Sequence, residues 1–136
     1  MKSEINFYQV DDVIIKSLAP LLIKILDEKK KVLVFGKNEN QLKELDNSIW
    51  SYGRNKFIPH VTIFDDGFET KRQPIFLTNK EENSNDADYL VFLDEPNEAF
   101  INKFSRVFYF YEPGKFSAKI KPSNSYKKQD GKWVKT

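Results

Sequence analysis

Three uninterrupted apolar runs, separated by segments of helical periodicity, constrain the fold of this chain most. Val32–Phe35 stands directly before Gly36, residues 89–93 form a second run, and Arg106–Tyr111, apolar after its first residue, forms a third. Such runs are typical of strands buried on both faces, which occur mainly in parallel sheets covered by helices. Apolar residues recur at helical spacing over 13–26, before the first run, and over 42–50, after it. The sequence therefore predicts an α/β sandwich around a mainly parallel sheet.

The 136 residues fit one domain, since there is no internal repeat and no linker long enough to divide the chain. Asp11 or Asp12 is expected to cap the first helix, which Pro20 either kinks or begins. Asn38 or Asn40 is expected to cap the second. Beyond residue 114 we expect a helix from Lys115 that is interrupted at Pro122. The prediction is a single domain over residues 1–136 with a basic C-terminal segment, 112–136.

Composition removes several classes of function. The chain has 0 Cys and a single His, which excludes disulfide scaffolds, thiol catalysis and multi-His metal centres. Its apolar runs fall far short of the ~20 residues that cross a bilayer. The N-terminus is acidic soon after its start, unlike a signal peptide. We therefore expect a soluble cytoplasmic protein.

Neither of the first two strand-to-helix connections resembles a phosphate-binding loop. Residues 9–12 contain no glycine and residues 35–38 contain one, whereas such loops need several for close backbone approach. No Walker motif is present. We expect no nucleotide and no other cofactor.

An enzyme hypothesis has its best support at residues 65–71. Asp65, Asp66 and Glu69 could hold Mg²⁺, and Lys71 could steady a hydroxide, as in a metal-dependent nuclease. The sequence Asp66-Gly67 is also ordinary turn chemistry, and a solvated turn is the favoured interpretation. His60 could be a general base, but a structural, hydrogen-bonded histidine is favoured because no second catalytic group is identifiable near it.

Two further features suggest protein partners. Trp50, Tyr52 and Phe57 cluster at a helix end and loop, where they are either core residues or an interface anchor. The segment 112–136 carries seven Lys and two acids, a balance of +5, whereas residues 1–111 carry 15 basic and 18 acidic residues. It is either a solvated terminal helix or a docking site for an acidic partner.

An ordered set of short motifs resembles the chi subunit family of the bacterial DNA polymerase III holoenzyme. The motifs are Asn6-Phe7-Tyr8, Leu45-Asp46-x-x-Ile49-Trp50-x-Tyr52, Phe57-Ile58-Pro59-His60, Pro74-Ile75-x-Leu77-Thr78, Asn83-x-Asn85-x-Ala87 and Arg106-Val107. The resemblance covers nearly the whole chain. It implies a Rossmann-like domain that binds no nucleotide and catalyses nothing. It also implies an adaptor that joins the clamp-loader assembly, through the psi subunit where one exists, to the acidic, Phe-terminated tail of single-stranded DNA-binding protein.

The resemblance also implies where these partners bind. Phe57 matches a psi-contacting aromatic, with Trp50 close by in sequence, and we expect the two rings to lie together, partly exposed, beside His60. Tyr111 matches an apolar wall of the tail pocket, and Tyr126-Lys127 matches an aromatic–basic pair of the last helix.

The chain departs from the family pattern one helical turn before that aromatic. A basic residue is usual there, but this chain has Ser123. Lys119, Lys121 and Lys128 are the alternatives for the missing charge. We expect Tyr111 and Tyr126 to form one apolar recess, with Lys121, Lys127 and Lys128 holding acidic groups.

Overall fold

The computed structural model describes residues 3–52 and 57–136, which build one sheet with helices on its faces. The strands are β1 (Glu4–Gln9), β2 (Val32–Phe35), β3 (Val61–Thr62), β4 (Ile75–Thr78), β5 (Tyr89–Phe92), β6 (Arg106–Tyr111), β7 (Asn124–Gln129) and β8 (Lys132–Lys135). The helices are α1 (Ile15–Asp27), α2 (Glu39–Ser51) and α3 (Glu98–Ile101), with a 3₁₀ turn at Thr70–Arg72. The strand order is β3-β4-β2-β5-β6-β1-β7-β8. All pairs are parallel except β7–β8, which confirms the predicted fold class.

Helices α1 and α2 cover one face of the sheet. Leu18, Leu22 and Leu42 are fully buried against strand residues such as Val34. Pro20 lies inside α1 on its exposed side, so the helix does not begin there. No side chain caps α1, whose N-cap residue is Ile14; the predicted aspartate cap is therefore wrong.

The residues around these two helix starts explain the outcome of the cap predictions. Asp12 lies two residues before the N-cap residue Ile14, and its side chain accepts a hydrogen bond from the Val13 N–H instead. Asn38 caps α2 as predicted, because its side-chain oxygen accepts the Gln41 N–H at 3.1 Å.

The opposite face carries a phenylalanine-rich core beneath α3 and the segment 112–123. Tyr109 is fully buried there and stacks on Phe92, with ring centroids 4.8 Å apart. Its hydroxyl accepts the Ser117 N–H at 3.1 Å, which ties the irregular segment to the sheet. This layer completes the three-layer arrangement, although α3 is only four residues long.

The predicted C-terminal helix is wrong, because the chain forms the hairpin β7–β8 instead. Asp130 and Gly131 both have positive φ, 50° and 78°, as a two-residue type I′ turn requires. Before the hairpin, the Ser123 N–H donates to the Ile5 carbonyl and its hydroxyl accepts the Ile5 N–H. These two bonds seat β7 beside β1, and strand pairing replaces the hydrogen bonds that a helix would make.

Candidate partner-binding surfaces

An exposed aromatic pair lies beside the β3 edge of the sheet. Trp50, on the last turn of α2, is 56% exposed, and Phe57 is 71% exposed. Their ring centroids are 5.4 Å apart. Tyr52, in contrast, packs against the core between the sheet and helices α1 and α2. The prediction that Trp50 and Phe57 lie together and exposed beside His60 is confirmed, and we call the two residues the aromatic pair.

His60 supports this pair from below. It is 5% exposed, and its ring centroid lies 4.6 Å from that of Trp50. Its Nδ1 lies 2.8 Å from the Ile58 carbonyl oxygen, and its Nε2 lies 2.7 Å from Asp46 Oδ1. Asp46 and Trp50 are four residues apart on α2 and therefore share a helix face. Because both ring nitrogens are engaged, His60 has the structural role that the sequence favoured.

A second surface lies on the β7–β8 hairpin, at the other edge of the sheet. Tyr126 stacks on Tyr8, with centroids 5.1 Å apart, and the ring of Trp133 meets Tyr8 edge-on at 5.0 Å. Lys128 Nζ lies 5.5 Å from the centre of the Trp133 ring and 3.3 Å from Ser17 Oγ. Burial, followed by the neighbouring Tyr126 phenol, raises the pKa of Tyr8. We call this helix-side surface of Tyr8, Tyr126, Lys128 and Trp133 the hairpin face.

Tyr111 does not belong to the hairpin face, so the predicted recess of Tyr111 and Tyr126 does not form. Tyr111 is in register with Gln9, and Tyr126 with Tyr8, the next residue along β1. Successive side chains of a strand point to opposite faces, which separates the two tyrosines. Tyr111 instead packs against Tyr109 and Phe116, each 5.1 Å away between ring centroids. Burial raises the pKa of the Tyr111 phenol.

The three predicted lysines are also divided. Lys128 lies on the hairpin face, whereas Lys127 is in register with Gln9 and lies on the Tyr111 side. Lys121 lines a cavity of about 840 Å³ beside α3, together with Glu95. The spacing of one helical turn before Tyr126 has no meaning in a strand, because Ser123 there is occupied in pairing with β1.

Sequence reasoning missed Tyr8, Trp133 and Phe116 as surface residues. The Asp130-Gly131 pair between Tyr126 and Trp133 could have indicated this surface, because that dipeptide predicts a hairpin rather than a helix. In a hairpin these rings alternate with lysines and share a face.

The candidate nuclease residues form a surface turn. Asp65 Oδ2 accepts hydrogen bonds from the Thr62 N–H and hydroxyl, and Glu69 pairs with Arg72 at 3.4 Å. Asp65, Asp66, Glu69 and Lys71 are all exposed. Within residues 3–52 and 57–136, no group of three or more His, Asp or Glu side chains could hold a metal ion. The nuclease hypothesis therefore lacks its metal site.

The position where a Rossmann-like fold could receive phosphate carries acidic side chains. Asp11 and Asp12 stand before α1, and their negative charge opposes a phosphate at that helix start. Asp12 pairs with Lys16 at 2.6 Å, which lowers the pKa of the Asp12 carboxyl.

Of the helices in the described residues, none is both long and apolar enough to cross a membrane.

These features define a Rossmann-like α/β protein with an exposed aromatic surface and an exposed basic surface at opposite edges of its sheet. Residues 1–129 match the family described as DNA polymerase III chi subunit, HolC, and the chain belongs to that family. The description of the family names its members as subunits of DNA polymerase III.

A curated relative agrees with this assignment. The chain is 27% identical over 95 residues to the probable DNA polymerase III subunit chi of Rickettsia prowazekii (strain Madrid E). The match covers 70% of this chain and 56% of the relative, so the chain spans little more than half of that protein's length.

Proposed function

We propose that this chain is a non-catalytic adaptor of the DNA polymerase III clamp-loader assembly that binds the acidic C-terminal tail of single-stranded DNA-binding protein. The observation that carries the proposal is the placement of two exposed surfaces at opposite edges of one sheet. The seven intervals between eight strands, at ~4.8 Å each, put the edges about 34 Å apart. Two partners at this separation can bind at the same time without colliding.

The aromatic pair is the proposed contact for the psi subunit, in an organism that has one. Two large rings that remain exposed in the free protein are typical anchors of a protein interface. Trp50 is held from behind by His60, so it presents a rigid surface and loses little side-chain entropy on binding.

The hairpin is the proposed contact for the tail of single-stranded DNA-binding protein. A terminal Phe needs an apolar floor, which Tyr8, Tyr126 and the 39% exposed Trp133 supply. The carboxylates of the tail need cations, and Lys128 stands over one edge of that floor.

The other predicted tail residues take different places in the proposal. Lys127 faces the opposite side of β7, where it can meet acidic residues further from the terminus of the tail. Tyr111 and Phe116 form a separate aromatic group on that same side. Lys121 lies at the cavity beside α3, so we assign it no contact with the terminal Phe.

A titration of the full chain with a fluorescent acidic peptide ending in Pro-Phe tests this proposal. Binding should weaken as salt rises, and removal of the terminal Phe should nearly abolish it. Lys128→Ala should weaken binding by about tenfold, which lies between the effect of truncating an exposed charge contact and that of truncating a fully desolvated one. Lys71→Ala is the matched control, because Lys71 is an exposed lysine in the 3₁₀ turn Thr70–Arg72, outside the hairpin. Equal affinity for peptides with and without the terminal Phe contradicts the proposal.

A further inference from the structure

The outer edge of β8 has main-chain groups without a strand partner in the described part of the chain. In the sheet order β8 is terminal and pairs only with β7. The Thr136 N–H donates to the Ser125 carbonyl at 2.9 Å, so these two residues form a hydrogen-bonded pair of the β7–β8 ladder. Hydrogen-bonded and non-hydrogen-bonded pairs alternate along an antiparallel ladder. Val134 therefore directs its N–H and C=O toward β7, whereas Trp133 and Lys135 direct theirs outward.

The charge around this edge restricts what can pair with it. Lys127, Lys128, Lys132 and Lys135 all belong to the hairpin, and Asp130 is its only acid. A second copy would bring lysines against lysines, and like charges on paired strands are destabilising. Lysines on an edge strand are a known protection against pairing between copies. An extended acidic segment has the opposite charge, so its carboxylates are attracted to the lysines of this edge instead of being repelled.

We propose that an acidic peptide in extended conformation binds as a ninth strand along β8, through the outward main-chain groups of Trp133 and Lys135. The inference rests on the proposed function, because the tail of single-stranded DNA-binding protein is the acidic segment in question. It adds a mode of recognition: main-chain pairing supplies affinity, and side chains supply the preference for acidic residues.

This mode also determines which peptide side chains meet the hairpin face. Trp133 and Lys135 place their side chains on the same side as Tyr126 and Lys128, because Tyr126 is in register with Lys135 and Lys128 with Trp133. Alternate residues of the added strand lie beside Trp133 and Lys135, and the intervening residues lie beside Lys132 and Val134. Side chains of the peptide therefore contact side chains of β8 on both faces of the sheet.

Two N-methylated versions of the acidic Pro-Phe peptide test the pairing. One carries N-methyl groups on odd-numbered residues and the other on even-numbered residues, so that side chains and charge are unchanged. In a strand only one of these sets faces the neighbour, so one peptide should bind about tenfold more weakly and the other like the parent. Equal affinities for the two methylated peptides overturn strand addition but leave tail binding intact. No binding of the unmodified peptide overturns the proposed function itself.

The protein side of the pairing is tested with Lys135→Pro and Lys135→Ala. Proline removes an outward N–H and leaves the β7–β8 ladder untouched, so it should weaken binding several-fold more than alanine does. Amide hydrogen exchange of the unaltered chain, with and without peptide, should show added protection at Trp133 and Lys135. The same protection from raised protein concentration alone identifies a second copy as the occupant and overturns the proposal. Tighter binding of a single-stranded oligonucleotide than of the peptide, with the same amides protected, overturns it as well.

Discussion

Replacement of Phe57 by alanine should separate stability from partner binding at the aromatic pair. Because the Phe57 side chain is 71% exposed, its loss should change the free energy of unfolding by less than ~0.5 kcal/mol. A phenylalanine side chain buries about 150–250 Å² when covered, so closing the exposed part contributes about 3–4 kcal/mol at ~25 cal/mol per Å². If psi covers this ring completely, Phe57→Ala should raise Kd by a few hundredfold.

Isothermal titration calorimetry with the psi subunit measures the affinity, and urea denaturation measures the stability. Phe116→Ala is the matched control, since Phe116 is another exposed phenylalanine but lies on the Tyr111 side of the sheet. It should leave the affinity for psi unchanged. Equal affinities of Phe57→Ala and the parent chain would refute the assignment of the pair to psi. A loss of more than ~2 kcal/mol of stability would refute the premise that the ring is exposed.

Three further predictions concern the hairpin, the Tyr8 phenol and the support beneath the aromatic pair. Gly131→Val should melt the hairpin turn, because φ is 78° there and a β-branched residue is strained at positive φ; thermal unfolding should shift down and peptide binding should be lost. The raised pKa of Tyr8 means that its contribution is fully present below the ordinary value of 10.0 and is lost as pH rises through the folded-state value. Tyr8→Phe should therefore reduce the alkaline loss of stability, measured by denaturation at a series of pH values, and an unchanged pH profile would contradict this reasoning. Asp46→Ala should leave the buried His60 Nε2 without its partner and cost about 1–3 kcal/mol in urea denaturation, while a change within error would show that water replaces the carboxylate.

The parallel core was predictable because its signals are local. Val32–Phe35 and Arg106–Tyr111 are apolar enough to require burial, and the helical periodicity between them leaves a covered parallel sheet as the solution. The Asn38 cap and the exposed aromatic pair were likewise available from short stretches of sequence. The error at the C-terminus came from giving the lysine-rich segment more weight than the Asp130-Gly131 turn.

The sequence by itself determined the class of fold, the basic character of the C-terminal segment and the aromatic residues available for binding. Only the tertiary structure decided which of those residues act together. Tyr111 and Tyr126 are both strand tyrosines, but β1 lies between their strands and its register assigns them to opposite faces. That register depends on pairing between residues more than a hundred positions apart in sequence. A shift of a single residue would exchange the faces, because side chains in a strand alternate with a period of two.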